Sequence, residues 1–503
     1  MKKYILLFAL ALVGVSCSNL LEPDSTGGNL SEKDFEKMDQ NTLTSTMLNG
    51  SIAYMHTMGS GTAGTSYKVI GIAMDMLGND MVLGGNGGGW FVSDYNMVNY
   101  RGQTDSRAIA YWTVFYKLAY MSNQVMSYID LSALETEAEK NQAKSIRAQA
   151  LTLRALAYYH LITVYQDAYL FGGKDKAGVP VYTLPEEARK GRGTAQEVWT
   201  RIFNDCAEAI SLFAESGITI SDRTKPSVYV AYMIQARAAL TTGDYSLAAS
   251  AAGNVISAFS LMTERQATTG ENDLTNAFQD INGVETIWGY KWTQNTTIQN
   301  NSFASHMAPA IPSTMAYGAV YNGGVKLMDL RLWLQIPETD WRGNLYSNIN
   351  YQGNVYYALN WKFDCADWNR DEVFMRAAEA HFIKAEAEAL NNNFTAAQQS
   401  LYNIMSTRDV AYQKSTATGE DLLEEIRLNK RIEMWGEGLE FFDNKRINKG
   451  VNRLDNPFEQ YGVPMNHRNR IVMPAGKDFT FRIPLTGEIE VNPFITEEDQ
   501  NPL

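Results

Sequence analysis

Two alanine-rich segments, each interrupted by one turn, constrain this chain more tightly than any other feature. In YVAYMIQARAALTTGDYSLAASAAGNVISAF, Ala236 and Ala248 stand twelve residues apart, with Gly243-Asp244-Tyr245 turning the chain between them. In HFIKAEAEALNNNFTAAQQSLYNIM, Ala385 and Ala397 have the same separation across Asn392-Asn393-Phe394. Small side chains let two helices approach closely. Each segment is therefore predicted to form a helical hairpin, at about Tyr229 to Phe259 and Phe374 to Met405, with Ala236 near Ala248 and Ala385 near Ala397. A third stretch, Glu137 to Tyr169, puts Ile146, Ala150, Leu153, Ala157, His160 and Val164 at the three-and-four spacing of one helix face. The expected fold is mostly α.

The paired alanines, with an aromatic three residues before the second, resemble the helix A and helix B positions of a tetratricopeptide repeat. Tandem repeats of that kind recur about every 34 residues, whereas 149 residues separate Ala236 from Ala385. Something large is inserted between them. The stretch 260–369 holds Trp288, Trp292, Trp333, Trp341, Trp361 and Trp368 among many Asn, Gly and Thr, with little helical periodicity. The reading is one domain over 31–503. A tetratricopeptide-like helical scaffold occupies 31–259 and 370–450, a loop-rich insertion 260–369, and a C-terminal tail 451–503. Binding residues concentrate in loops held by such a scaffold.

The N-terminus, MKKYILLFALALVGVSC, has a charged start at Lys2 and Lys3, an apolar run of roughly ten residues and a small-residue approach to Cys17. The run is too short for a stable membrane anchor. Residues 1–16 read as a cleaved export signal, and the small residues before Cys17 resemble a bacterial lipobox, in which the cysteine thiol is acylated and becomes the new N-terminus. An ordinary secretory signal cleaved nearby is the alternative. The polar, turn-rich residues 17–30 suit a flexible tether. Loss of Lys2 and Lys3 takes the formal net charge from -13 to -15. Such an acidic chain without a basic cluster argues against nucleic acid as a partner. Cys206 and Cys365 each sit beside hydrophobic residues and read as buried free thiols, with a single bridge between them the other possibility.

The C-terminal third carries a family resemblance. Ala378-Glu379, Ala385-Glu386-Ala387, Glu425-Ile426, Arg431, Glu433, Gly436-Glu437-Gly438, Phe442-Asp443 and Lys445-Arg446, followed by Ile483-Pro484, Glu488-Ile489, Asn492-Pro493 and Gln500-Asn501, resemble the SusD/RagB family of Bacteroidetes outer-membrane lipoproteins. The resemblance implies an α-helical fold with four tetratricopeptide-like units on the cell surface. It also implies a partner, a TonB-dependent transporter of the SusC type, to which captured oligosaccharides or polysaccharides are handed without catalysis or cofactor. The RagB side of the family implies peptides as an alternative cargo. A glycan- or peptide-cleaving lipoprotein is the alternative of a different class. Read from the residues alone, Asp371 caps a helix with a buried stripe at Phe374, Ala378, Phe382, Ala385 and Ala389, and Glu433, Glu437, Asp443, Lys445 and Arg446 form structural ion pairs.

Other motifs fail their context. Gly59-Ser60-Gly61-Thr62-Ala63-Gly64 matches a dinucleotide loop but follows a helix-like segment instead of a strand. Asp367, Asn369 and Asp371 alternate as in a calcium loop, yet Glu372 and Ala378 occupy the positions of the required glycine and glutamate; whether a metal binds elsewhere stays open. The five histidines follow no catalytic spacing. Candidate ligand residues are aromatics in irregular sequence with amide or charged partners: Trp90 with Tyr95, Asn96 and Asn99; Trp288, Tyr290 and Trp292 with Asn295; and Trp341 with Arg342. Rings would stack on sugar faces while amides and guanidinium bond the hydroxyls. The resemblance implies a glycan platform in these same regions.

Overall fold

The computed structural model describes residues 37–58, 66–84, 90–268, 276–293, 301–309, 324–351, 353–365 and 370–502. Cys17, Asn295 and the Gly59–Gly64 motif lie outside them. The scaffold helices are α1 (Gln40–Tyr54), α2 (Tyr67–Met76), α3 (Ser106–Ser127), α4 (Glu137–Tyr165), α5 (Ala195–Ser216), α6 (Val228–Thr242) and α7 (Tyr245–Ile256). A short α8 (Phe303–Met307) lies within the insertion, and α9 (Ala377–Leu390), α10 (Phe394–Met405), α11 (Gly419–Met434) and α12 (Glu440–Arg446) follow it. Local chemistry closes these helices. Thr136 and Glu139 form a reciprocal capping box at the start of α4, and Thr194 and Glu197 form another on α5. In the first hairpin, Gly243 at φ 87° ends α6 and the Asp244 carboxylate accepts the Leu247 N–H to start α7. Asn392 takes the left-handed conformation in the second hairpin, at φ 60°.

From α3 to α7 each helix packs on the next, α3 on α4, α4 on α5, α5 on α6 and α6 on α7. The ladder continues across the insertion, because α7 packs on α9, which packs on α10 and α11. The displaced hairpin is thus restored to its place in a tetratricopeptide-like stack. Ala236, Ala248, Ala385 and Ala397 are all fully buried at these helix contacts. Cys206 and Cys365 are both free thiols, Cys206 buried and Cys365 half-buried.

The insertion forms strands. A four-stranded sheet has the order β1-β3-β5-β4, from Met81–Leu83, Lys326–Met328, Asn354–Asn360 and Tyr346–Tyr351, so the N-terminal half contributes one edge. Separately, β2 (Thr286–Tyr290) pairs antiparallel with β6 (Glu372–Arg376), Tyr290 standing opposite Glu372. This corrects the expected start of the second hairpin. Phe374 belongs to a strand, and Asp371 caps no helix: its carboxylate accepts the backbone N–H groups of Ile281 and Trp292 at 3.0 and 2.8 Å. A short apolar run such as Val373-Phe374-Met375 has no intrinsic preference, and pairing with β2 decides its conformation.

A buried ionic network joins insertion to scaffold. Arg376 at the end of β6 donates to Glu285, Glu433 and Glu437; Arg408 reaches Glu285 at 2.6 Å and Glu433 at 3.0 Å; Lys362 donates to Glu437 at 2.6 Å and to the carbonyls of Glu433 and Trp435. Burial pushes the Glu433 carboxyl up, but Arg408, Arg376 and Arg342 overcome it and hold the group well below the usual carboxylate range. The tail and α12 close α4: Phe481 N–H and Asn501 Nδ2 from the tail and Lys445 Nζ from α12 donate to the carbonyls of Val164 or Tyr165 in its last turn. No described helix is long and apolar enough to cross a membrane.

Candidate functional site

The segment after β1 brings Trp90 to the surface through a backbone kink. Phe91 adopts φ 62°, a region bulky residues avoid, and its buried ring lies 5.1 Å from the His306 ring and 5.2 Å from the Lys326 ammonium. Trp90, half-buried, meets His306 edge-on at 5.3 Å. The following turn is held internally. Asp94 takes a two-pronged contact from Arg107 at 2.8 and 2.9 Å, and Tyr95 hydrogen-bonds His467 at 2.8 Å beneath the Arg453 guanidinium. Asn96 bonds Asn469, and Asn99 accepts from Ser106 Oγ at 2.9 Å. Tyr95 is buried, so the expectation that it faces a ligand does not hold; Asn96 and Asn99 are half-buried.

The second cluster divides along β2, where the pairing with β6 shifts register on both sides of Trp288. Trp288 is fully buried, its indole N–H donating to the Thr224 carbonyl at 3.2 Å and its ring edge-on to Phe374 at 5.1 Å. It has no open face, which corrects its assignment to a ligand surface. Tyr290 and Trp292 are half-buried. Tyr290 stacks face to face on His56, with centroids 3.7 Å apart and planes 1° from parallel. Asp371, by accepting the Trp292 N–H, holds the chain as it leaves β2.

Trp341 and Arg342 also require correction. The Trp341 indole is buried, donates to the Thr407 carbonyl at 2.9 Å and lies 5.2 Å from the Arg408 guanidinium. Arg342 is 2% exposed and bonds Asp340 at 2.6 Å, Asn429 at 2.9 Å and Glu433 at 3.4 Å. Both belong to the ionic core, because an irregular segment rich in polar residues folded inward around Glu433.

The short α8 links the two remaining aromatic groups. His306 contacts Trp90, while the Phe303 N–H donates to Glu372 Oε1 at 3.5 Å. Glu372 Oε2 lies 3.5 Å from His56 Nδ1, beyond good hydrogen-bond geometry, and neither His56 ring nitrogen has a hydrogen-bond partner among the described residues. Through α8, Trp90 is therefore linked by His306, Glu372 and His56 to Tyr290, and Trp292 follows Tyr290 by two residues. His56, His306 and Glu372 were not legible as site residues, since nothing in their spacing shows that they meet. Among the described residues, no three His, Cys, Asp or Glu side chains gather as a metal site would require. The arrangement offers aromatic surface beside buried polar groups, suited to an apolar sugar face flanked by hydroxyls.

Two family models match the chain: one described as "Starch-binding associating with outer membrane" over residues 54–240, and one described as "SusD family" over residues 272–502. No curated protein matches. Among solved structures, the fold is similar to a SusD-like carbohydrate binding protein from Bacteroides vulgatus, 24% identical with a TM-score of 0.76, covering 93% of this chain and 99% of that one. A SusD superfamily protein from Bacteroides thetaiotaomicron is 20% identical with a TM-score of 0.72 (92% and 100% covered). Surface glycan-binding protein A from Bacteroides fluxus is 18% identical with a TM-score of 0.66 (92% and 99% covered).

Proposed function

Because this chain belongs to the SusD/RagB family, we propose that it is a cell-surface lipoprotein that captures oligosaccharides or polysaccharides and hands them to a TonB-dependent transporter of the SusC type. Cys17 carries the lipid that holds it at the outer membrane. The protein binds without cleaving. The observation that carries this reading is the link of Trp90 to Tyr290 through α8, with Trp292 two residues beyond Tyr290, so that half-buried rings border polar groups. Trp90 and Trp292 stack on sugar rings, Tyr290 is held flat by His56, and Asn96 and Asn99 bond hydroxyls at the margin.

The test is affinity electrophoresis or calorimetry with a panel of neutral glycans. Alanine at Trp90 or Trp292 is expected to weaken binding by about 1 to 3 kcal/mol, the loss when a stacked ring leaves a contact, with the melting temperature nearly unchanged. Unaltered glycan affinity in both variants would move the site elsewhere. Binding of peptides in place of glycans would replace the cargo, and turnover of any panel member would replace the binding role with catalysis.

A further inference from the structure

The scaffold helices leave a space where α2, α3, α4, α6, α9 and α12 converge. It is a cavity of about 40 Å³, with apolar walls such as Phe115, Leu240 and Phe442 and polar side chains between them. Two groups there lack a hydrogen-bond acceptor. The first is a phenol. His160 lies between two of them, the Tyr67 hydroxyl 3.0 Å from Nε2 and the Tyr111 hydroxyl 2.6 Å from Nδ1. A neutral imidazole carries one N–H and one bare nitrogen, so one phenol donates to the ring while the other accepts from it and must send its own proton elsewhere. A charged ring would leave both phenols in that position. Neither hydroxyl has another acceptor among the described residues. Arg237, on the same wall, carries donors only and directs Nε and Nη2 to Glu379 at 2.7 and 2.6 Å. The second group is Lys68, the neighbour of Tyr67 on α2. Its side chain is buried, and its ammonium makes no hydrogen bond or ion pair among the described residues. Nζ lies 5.1 Å from the centre of the Phe303 ring on α8. Burial lowers its proton affinity, and Glu437, which lines the same cavity, is foremost among the carboxylates that oppose this.

We propose that this cavity is an internal hydration site, filled by ordered water that takes the spare phenol proton and joins the Lys68 ammonium to Glu437. Leaving either donor dry carries the full cost of its desolvation. The volume admits about three waters, and the polar walls supply the several partners that each one needs. The other charges on the wall are already paired: Arg237 with Glu379, Lys430 and Arg446 with Asp443, and Glu437 with Lys362 and Arg376. An anion drawn to Lys68 would stand against Glu379, Glu437 and Asp443. Water accepts from the two donors and donates to those carboxylates. Lys430 and Asp443 also border a concavity of about 800 Å³ between α11 and α12, which supplies the route by which the water exchanges with solvent. Hydrated in this way, Lys68 keeps its cation against Phe303, on the helix whose His306 meets Trp90.

Diffraction from crystals of the whole protein tests this independently of its cargo. Neutron and X-ray data from crystals exchanged into heavy water are expected to place one water within about 3 Å of Lys68 Nζ and another at the Tyr67 or Tyr111 oxygen, with the phenol deuterium directed at it. Crystals of Lys68→Met, which keeps the apolar stem, should retain the phenol water and lose the one at residue 68. Xenon entering the cavity of pressurised parent crystals would mark a dry space and overturn the hydration site. Anomalous density beside Lys68 after a bromide soak would overturn it too, by making the cavity an anion site. An unchanged water pattern in Lys68→Met removes Lys68 from the site and does the same. Should that variant fail to fold, the water, xenon and bromide positions in the parent crystals decide the point.

Discussion

Glu433 shows how much one side chain decides. It faces Arg342, Arg376 and Arg408 in a region without solvent, and those guanidiniums leave the helical scaffold and the insertion from different directions. Glu433→Gln keeps the shape and removes the charge, so three buried cations share the remaining carboxylates. Loss of one partner from a buried pair costs about 3 to 5 kcal/mol, and urea unfolding at neutral pH should show a loss of that size. The sign with pH follows from its depressed folded pKa. The contribution is present above the ordinary value of 4.5 and is lost as pH falls through that value toward the lower folded one. The parent should therefore lose stability steeply below about pH 4.5, and the variant less so; equal acid limbs in both proteins would mean that the network does not carry the charge. The membership of Glu433 and Glu437 in structural ion pairs was legible from charges near a helix end. That Arg342 joins them, instead of facing a ligand, was not, because its partners Asn429 and Glu433 are distant in sequence.

At the scale of elements, the close crossing of α2 with the turn before α12 leaves no room for a side chain. Gly438 has φ 84°, and a Cβ added there would stand 2.7 Å from the Gly71 Cα. The Asp75 carboxylate reinforces the crossing by accepting the Gly438 and Glu440 N–H groups at 2.8 and 3.1 Å. Gly438→Ala meets both strain and collision, whereas Gly462→Ala, at φ 77° with nothing within 4 Å, meets strain alone. The second substitution should cost about 1 to 2 kcal/mol, and the first clearly more; thermal melts that rank them equally would show that α2 moves aside without penalty. The hairpins themselves could be read from alanine spacing and turn residues, because helix pairing within a hairpin is local. The strand at Glu372–Arg376 could not, because its partner β2 lies across the insertion.

For the whole molecule, the proposed lipid anchor gives a direct expectation. Cys17→Ser should move the protein from the membrane fraction to the soluble one while leaving its melting temperature unchanged, as checked by fractionation and N-terminal analysis. Retention with the same processing would sink the assignment. Helix periodicity, capping residues and the C-terminal family motifs are properties of neighbours along the chain, so the sequence by itself determined the fold class and the family, and its N-terminus supplies the proposal of a lipid-anchored destination. Which aromatics keep an open face depends on contacts between distant segments. Trp288, Trp341 and Tyr95 were as plausible as Trp90 and Trp292 by composition and setting. Strand pairing at β2, the ionic network around Glu433 and the Arg453 contact drew the first three inward, while Trp90 and Trp292 stayed half-buried. Local sequence sets backbone preference, but burial is decided by the summed packing of the folded chain, and only the tertiary structure carries that sum.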